Sequence, residues 1–294
     1  MEQREFGNTG LKVSVLGFGA GQIGSADYSE REAEALLHRV LDLGLTLIDT
    51  ARGYGLSEER IGRYLARRRA EFVLSTKIGY DIPGYADWTY ECVQAGVDEA
   101  LRRLQTDYLD IVHFHSCPLS TLQAGEVLRA LDAAVQAGKV RVAAYSGENE
   151  ALDWAVASGR FGSVEHSINI CDQRVIDGAL VQSQARGLGV IAKRPVANAP
   201  WRFAEYPTGQ YAEEYWKRWQ AMNVDPRGLD WQELALRFTA FTPGVHACIV
   251  GTRNAAHLLQ NVRILEKGPL PLDHYTAIRS AFKANDPGGW IGQV

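Results

Sequence analysis

Leu45 to Gly62 reads LTLIDTARGYGLSEERIG. Its first four residues, Leu45, Thr46, Leu47 and Ile48, form a short apolar, β-branched run with the length of a buried strand. The run stops at Asp49. A loop follows in which Gly53 and Gly55 flank Tyr54, and the glycines let the backbone turn sharply. Ser57 is placed to cap a helix whose first turn holds Glu58 and Glu59, acidic residues that suit a helix N-terminus. A carboxylate thus stands at the C-terminal end of a strand, with a phenol close behind it. In barrels of alternating strands and helices, that end is where chemistry is done. The same two residues also suit an aspartate capping the loop and a tyrosine packing on it. The stretch alone leaves both readings open.

The pattern repeats on either side. Residues 3–6 and 11–15 flank Gly7-Asn8-Thr9-Gly10, which reads as a small hairpin. Buried strands are expected at 15–19, 45–49, 72–77, 108–115, 140–146, 163–167, 189–193 and 246–250. Ser29 and Glu32 make a capping box ahead of the stripe Ala33, Leu36, Leu37, Val40 and Leu41. Further helices are expected from near Ser57, over 89–104, over 122–137 with Gly138 as its stop, across 176–186, and over 255–265. Strands and helices that alternate with short connections imply a parallel sheet. Eight such units fit a closed barrel better than an open sheet. The fold class is therefore α/β, a single (β/α)8 TIM barrel over residues 1–294 with an N-terminal β-hairpin. Residues 197–230 form a long aromatic-rich loop after the seventh strand, and loops of that length are usually functional or partly disordered.

Composition excludes several functions. The chain has 294 residues, a net charge of −4 and acidic and basic residues mixed throughout, with no basic stripe for nucleic acid. Its one basic run, Arg67-Arg68-Arg69, suits a helix end. Cys92, Cys117, Cys171 and Cys248 are not spaced as a metal or redox motif. No apolar run approaches membrane-spanning length, and MEQREF lacks a secretory pattern. A soluble cytoplasmic protein with no metal is the expectation.

The strand ends bring chemistry together. Asp49, Lys77 and His115 end successive strands, and Tyr54 lies just beyond the first of these. A free phenol has a pKa near ~10, so it is a weak acid at neutral pH. An ammonium beside it stabilises the phenolate, and a carboxylate orients the ammonium. An imidazole can hold a carbonyl oxygen. Together the four can protonate that oxygen while a hydride arrives at its carbon. Singly, each has a bland reading as a solvated or packing side chain.

The chain resembles the aldo-keto reductase family over nearly its whole length. REFGNTGLKVSVLGFGAGQIG, LIDTARGYGLSEERIG, VLSTKIG, YLDIVHFH and VGTRNAAHLLQN carry the resemblance. It implies a (β/α)8 barrel and reversible nicotinamide-dependent carbonyl reduction, with a small-molecule carbonyl compound as partner. By position, the catalytic set is Asp49, Tyr54, Lys77 and His115, with Tyr54 as general acid in reduction. Cofactor contacts are implied at Gly19, Gly21, Gln22, Asp49, Ser146, Glu165, Lys193, Arg194, Pro195, Gly251, Thr252, Arg253, His257, Gln260 and Asn261. Arg253 is a forked partner for a 2′-phosphate, which favours NADP(H) over NAD(H). The alternative is a surface arginine at a helix start, where a cation is locally disfavoured unless it meets an anion.

Glu165 stands where the family usually has glutamine, and Lys193 where an aromatic ring is common. His257 and Gln260 also depart from the commoner choices. We expect Glu165 and Lys193, at the ends of neighbouring strands, to pair beneath the nicotinamide. The alternative leaves Glu165 acting alone, with Lys193 turned to solvent or substrate. His113 is expected to be neutral and hydrogen-bonded to a neighbour such as Ser75. Tyr85, Trp88, Trp201 and Trp290 are expected as pocket walls. The competing functions are a non-catalytic cofactor-binding regulatory or scaffold protein and, more remotely, a phosphate-binding barrel lyase or isomerase.

Overall fold

A computed structural model describes residues 1–286 and 288–293. Strands β1 (Gln3–Glu5) and β2 (Lys12–Ser14) form an antiparallel hairpin. Eight parallel strands then close into a barrel. They are β3 (Leu16–Gly19), β4 (Leu47–Asp49), β5 (Val73–Ile78), β6 (Leu109–His115), β7 (Val140–Ser146), β8 (Ser163–Ser167), β9 (Gly189–Lys193) and β10 (Ala247–Val250). They stand side by side in chain order, and β10 pairs with β3 to close the ring. The expected (β/α)8 barrel and its hairpin are both present, and β7, β8 and β9 have the expected limits.

The helices differ more. Helix α1 (Glu30–Asp42) starts as expected, with the Ser29 hydroxyl accepting from the Glu32 amide. Helix α2 (Ser57–Leu65) has no side-chain cap. Ser57 is instead buried and donates to the Ala20 carbonyl, tying the helix to the end of β3. Helix α3 (Tyr90–Leu104) is capped by Thr89. The single helix expected over 122–137 is two, α4 (Leu119–Ala124) and α5 (Glu126–Gln136). Gly125 between them sits at φ +79°, a left-handed conformation that ends a helix. Helix α6 (Asn149–Ser158) was not expected, and α7 is short (Ala179–Ala185). The aromatic loop contains α8 (Glu213–Met222), followed by α9 (Trp231–Ala240). Helix α10 covers Ala255–Glu266 and α11 covers Leu272–Asn285.

The barrel interior is layered. Phe6, Leu11 and Val13 of the hairpin pack with Leu47, Val73, Ile111, Val142, Ile191 and Ala247 into an apolar plug at its N-terminal end. Toward the other end the lining turns polar, with Asp49, Ser75, Lys77, His113 and Glu165 all buried. Beyond α11, residues 288–293 form a tail across that end. Its peptide groups are held by side chains of the barrel. Arg218, itself buried, donates to the Ile291 carbonyl at 2.8 Å. Asn149 bonds both the amide and the carbonyl of Gly292. Arg194 donates to the Gln293 carbonyl.

Candidate active site

β4 delivers Asp49 at its last residue, and β5 delivers Lys77 one strand away. The Lys77 ammonium lies 2.5 Å from Asp49 Oδ2 and 3.4 Å from Glu165 Oε1. Asp49 Oδ1 also accepts from the Ser75 hydroxyl at 2.8 Å. Tyr54 arrives on the loop after β4. Gly24 makes this possible, because a Cβ there would stand 1.6 Å from the Tyr54 carbonyl oxygen. The Lys77 ammonium is 5.4 Å from the Tyr54 ring centre. The His115 ring, at the end of β6, meets the Tyr54 ring edge-on at 5.9 Å. The four side chains singled out in the sequence therefore converge at one rim of the barrel.

Electrostatics set their protonation. Burial opposes the Lys77 ammonium, but the Asp49 and Glu165 carboxylates outweigh burial and hold its pKa above the usual value. Burial and the charge of Glu165 raise Asp49 against the pull of Lys77. Glu165 is also opposed by burial, yet Lys77 and the nearby histidines keep it low. Lys77 pulls the Tyr54 phenol down more than any other group. Burial and the carboxylates of Asp49 and Glu165 together reverse that pull, and the net shift is upward. The expected lowering by Lys77 is present but overcome by burial first, then by the carboxylates of Asp49 and Glu165. Burial, then Lys77, lowers His115 to about 3, so its ring is neutral at physiological pH.

Asp49, His113 and Glu165 offer ligand atoms within 4.8 Å of one another. The Lys77 ammonium, in contact with both carboxylates, supplies the positive charge of that cluster. Among the described residues, His113 has no hydrogen-bond partner on either ring nitrogen. The expected bond to Ser75 is not formed, since the Ser75 hydroxyl serves Asp49. The neutral state of His113 is retained, with burial first among the causes that lower it to about 4.

The expected Glu165–Lys193 pair does not form. In the sheet register Ser167, not Glu165, lies opposite Lys193. Glu165 is thus two residues below the rim and turns to Lys77 and to Ser146, whose hydroxyl donates to it at 3.1 Å. Lys193 pairs with Glu148 at 3.2 Å. Glu148, just past the end of β7, also accepts from the Ser167 amide, and it was missed in the sequence. So was Tyr80, whose hydroxyl lies 2.6 Å from His115 Nδ1. The one signal was an aromatic residue directly after Gly79 at the end of the lysine strand.

The remaining expected cofactor residues fall in two groups. Around β3 and β10, Gly19 packs close to Gly251, and Arg253 donates to the Gln22 carbonyl at 3.1 Å. Arg253 also reaches Asp27 at 3.0 Å and lies over the Tyr28 ring. Gly21 lies against the Tyr54 ring. Thr252 is buried and bonds the Asn254 amide, and Asn254 caps α10. His257 and Gln260 are exposed on α10, whereas Asn261 is buried and accepts from Gln232. The second group follows β9. Arg194 adopts φ +53° beside Ser167, and the Pro195 carbonyl accepts from Thr239. Of the expected pocket walls, Trp88 stands behind Tyr80. Tyr85 lines an outer groove with Ile82, Tyr90 and Gln94. Trp201 stacks on Trp231, and Trp290 packs on Phe282.

Fold and rim together define a barrel oxidoreductase that acts on carbonyl groups. A model of the Aldo/keto reductase family matches residues 15–283. An L-galactose dehydrogenase of Arabidopsis thaliana is 29% identical over 294 residues, covering 94% of this chain and 92% of the relative. A probable voltage-gated potassium channel subunit beta of Oryza sativa subsp. japonica is 26% identical, covering 92% and 93%. The solved structure of an aldo-keto reductase from Bacillus halodurans, in its holo form, superposes with a TM-score of 0.84 at 27% identity, covering 96% of each chain. The chain belongs to the aldo/keto reductase family.

Proposed function

We propose that this protein is an NADP(H)-dependent reductase of small aldehydes, ketones or sugar-like carbonyls, with Tyr54 as general acid. The observation that carries the reading is the convergence of Tyr54, His115 and the Asp49–Lys77 pair at one rim. A nicotinamide cofactor supplies the hydride when bound. The chain's own residues handle the oxygen. His115, neutral at working pH, donates a hydrogen bond to it. Tyr54, whose pKa is raised, is protonated and gives up its proton as charge develops there. The Lys77 ammonium, buried and anchored by Asp49, then stabilises the phenolate. In oxidation the same phenolate accepts the proton back.

Several features fit the cofactor. Glu165 Oε2 is buried without a hydrogen-bond partner among the described residues, as suits a carboxylate that accepts from a carboxamide N–H. Gly19 and Gly251 bring two backbones together without side chains. The Arg253 guanidinium is 38% exposed and already holds an anion, the Asp27 carboxylate, whose place a phosphate would take. The sugar-like substrate class draws on the similarity to the L-galactose dehydrogenase. Among the described residues no helix is long and apolar enough to cross a membrane. The four cysteines are free, which accords with a reducing cytoplasm.

Tyr54→Phe tests the reading. NADPH consumption against a panel of aldehydes and sugars should fall to background while NADPH binding stays nearly intact. Near-normal turnover would refute the role of Tyr54. A regulatory reading has the channel-subunit similarity behind it. It predicts NADPH binding without turnover in the unaltered protein, so the same assay separates the two.

A further inference from the structure

Tyr80 has no role in the scheme above, yet its setting is built with care. Its hydroxyl lies 2.6 Å from His115 Nδ1, the single hydrogen bond of that ring among the described residues. The two rings are within 24° of parallel, with centres 5.6 Å apart. The Trp88 ring packs on Tyr80, tilted by 59°, with centres 5.9 Å apart. Trp88 itself has a left-handed conformation, φ +60°, in which its amide N–H donates a hydrogen bond to the Gly79 carbonyl at 2.8 Å. That backbone state is uncommon for a bulky residue. Gly79 adopts φ +130°, and a Cβ there would fall 2.0 Å from the Trp88 ring. Gly53 leaves room on the third side, since a Cβ there would stand 3.2 Å from the Tyr80 hydroxyl. Two special backbone conformations and a glycine therefore converge on one phenol.

A neutral imidazole has a single N–H, and the partner of one nitrogen decides which nitrogen carries it. A phenol hydroxyl is a better donor than acceptor, because its oxygen lone pairs are drawn into the ring. Facing Nδ1, Tyr80 donates. The proton of His115 must then reside on Nε2, which makes Nε2 a hydrogen-bond donor. The opposite tautomer would present a lone pair to a carbonyl oxygen and repel it.

We propose that Tyr80 is a positioning residue that locks His115 in the Nε2–H tautomer, the form able to donate to the substrate oxygen. The inference rests on the reductase reading for its consequence in catalysis, but the lock itself is a property of the protein. Burial raises the Tyr80 phenol above its ordinary range, which keeps the donor proton in place at neutral pH.

The test is carried out on the full chain with NADPH bound and labelled with nitrogen-15 at histidine. Long-range proton–nitrogen spectra at pH 7, with His115 assigned by the signals lost in His115→Asn, report the tautomer directly. The wild type should show Nε2–H only. Tyr80→Phe should show a mixture or the Nδ1–H form. It should also lose about tenfold to a hundredfold in kcat, part of the worth of an oxyanion donor, with KM and NADPH affinity little changed. Gly53→Ala, which presses on the Tyr80 hydroxyl without altering it, should shift the tautomer in the same direction if Tyr80→Phe folds poorly. Nδ1–H in the wild type overturns the proposal. So does an unchanged Nε2–H signal in Tyr80→Phe or, should that variant fold poorly, in Gly53→Ala. A wild type inert toward every carbonyl tested but showing the tautomer change would overturn the reductase reading and leave the lock standing.

Discussion

Arg253 shows how much one side chain has to decide. Its fork engages Asp27 and the Gln22 carbonyl. A 2′-phosphate would have to displace the Asp27 carboxylate, exchanging one anion for another of higher charge. Charge-assisted hydrogen bonds are worth roughly 1.5–3 kcal/mol, so Arg253→Ala should weaken NADPH by about tenfold to a hundredfold and NADH far less. Fluorescence titration of both cofactors measures this, and equal weakening would show that Arg253 reads no phosphate. Asp27→Asn should tighten NADPH, because the competing carboxylate is gone. His113 makes a different prediction. Burial holds it near 4 in the folded chain, against about 6.5 when unfolded. As pH falls between these values the unfolded chain takes up a proton that the native chain refuses, so stability is lost on acidification. The span corresponds to roughly 3 kcal/mol. His113→Asn should flatten the fall in urea midpoint between pH 7 and 4.5, and an unchanged slope would place the acid sensitivity elsewhere.

At the scale of elements, caps carry the local energetics. The Thr89 hydroxyl accepts from the Cys92 amide at the start of α3 and donates to the Ala86 carbonyl. It thereby ties the helix to the loop that places Trp88. Thr89→Ala should cost about 1 kcal/mol in urea unfolding, and a loss within error would mean the cap is dispensable. The strands were the legible part of the chain. β7 and β9 are mostly apolar runs bounded by serine, glycine or lysine, β8 is the polar stretch SVEHS following Gly162, and the expected limits of all three match the structure. The helices were less so. The stripe over 122–137 is continuous in sequence, and only the left-handed Gly125 reveals the break. Helix α8 hides its periodicity in a loop dense with tryptophan and tyrosine, where the aromatic residues before it mask the short stripe of Tyr215, Trp216 and Trp219. At the site, strand-end residues were placed correctly because each strand end is a sharp boundary. Glu165 was misplaced by two residues, enough to move it from the rim to Lys77. Lys193 went to Glu148, because partners across a barrel depend on register, which no single strand records. Tyr80 belongs to a loop, and its partner lies on another strand.

The molecule as a whole separates its stability from its chemistry. The plug beneath the barrel joins Phe6, Leu11 and Val13 to residues of six barrel strands, and Phe6 is fully buried against Gly189. Phe6→Ala should destabilise the chain by about 3–5 kcal/mol yet leave NADPH affinity in the folded protein unchanged. A matched loss of cofactor affinity would show that the two ends are coupled. The tail at the opposite end illustrates a different kind of separation. Arg218, Asn149 and Arg194 hold it by its amides and carbonyls, groups that every residue but proline offers alike. Gly292 is the exception, since any side chain there would collide with Glu148. Elsewhere along the tail, the course of the chain is set by groups common to all residues while its lettering is left open. Mutation can therefore redraft the border beside Lys193 one side chain at a time without the tail losing its place. New surface chemistry can arise there without a new fold.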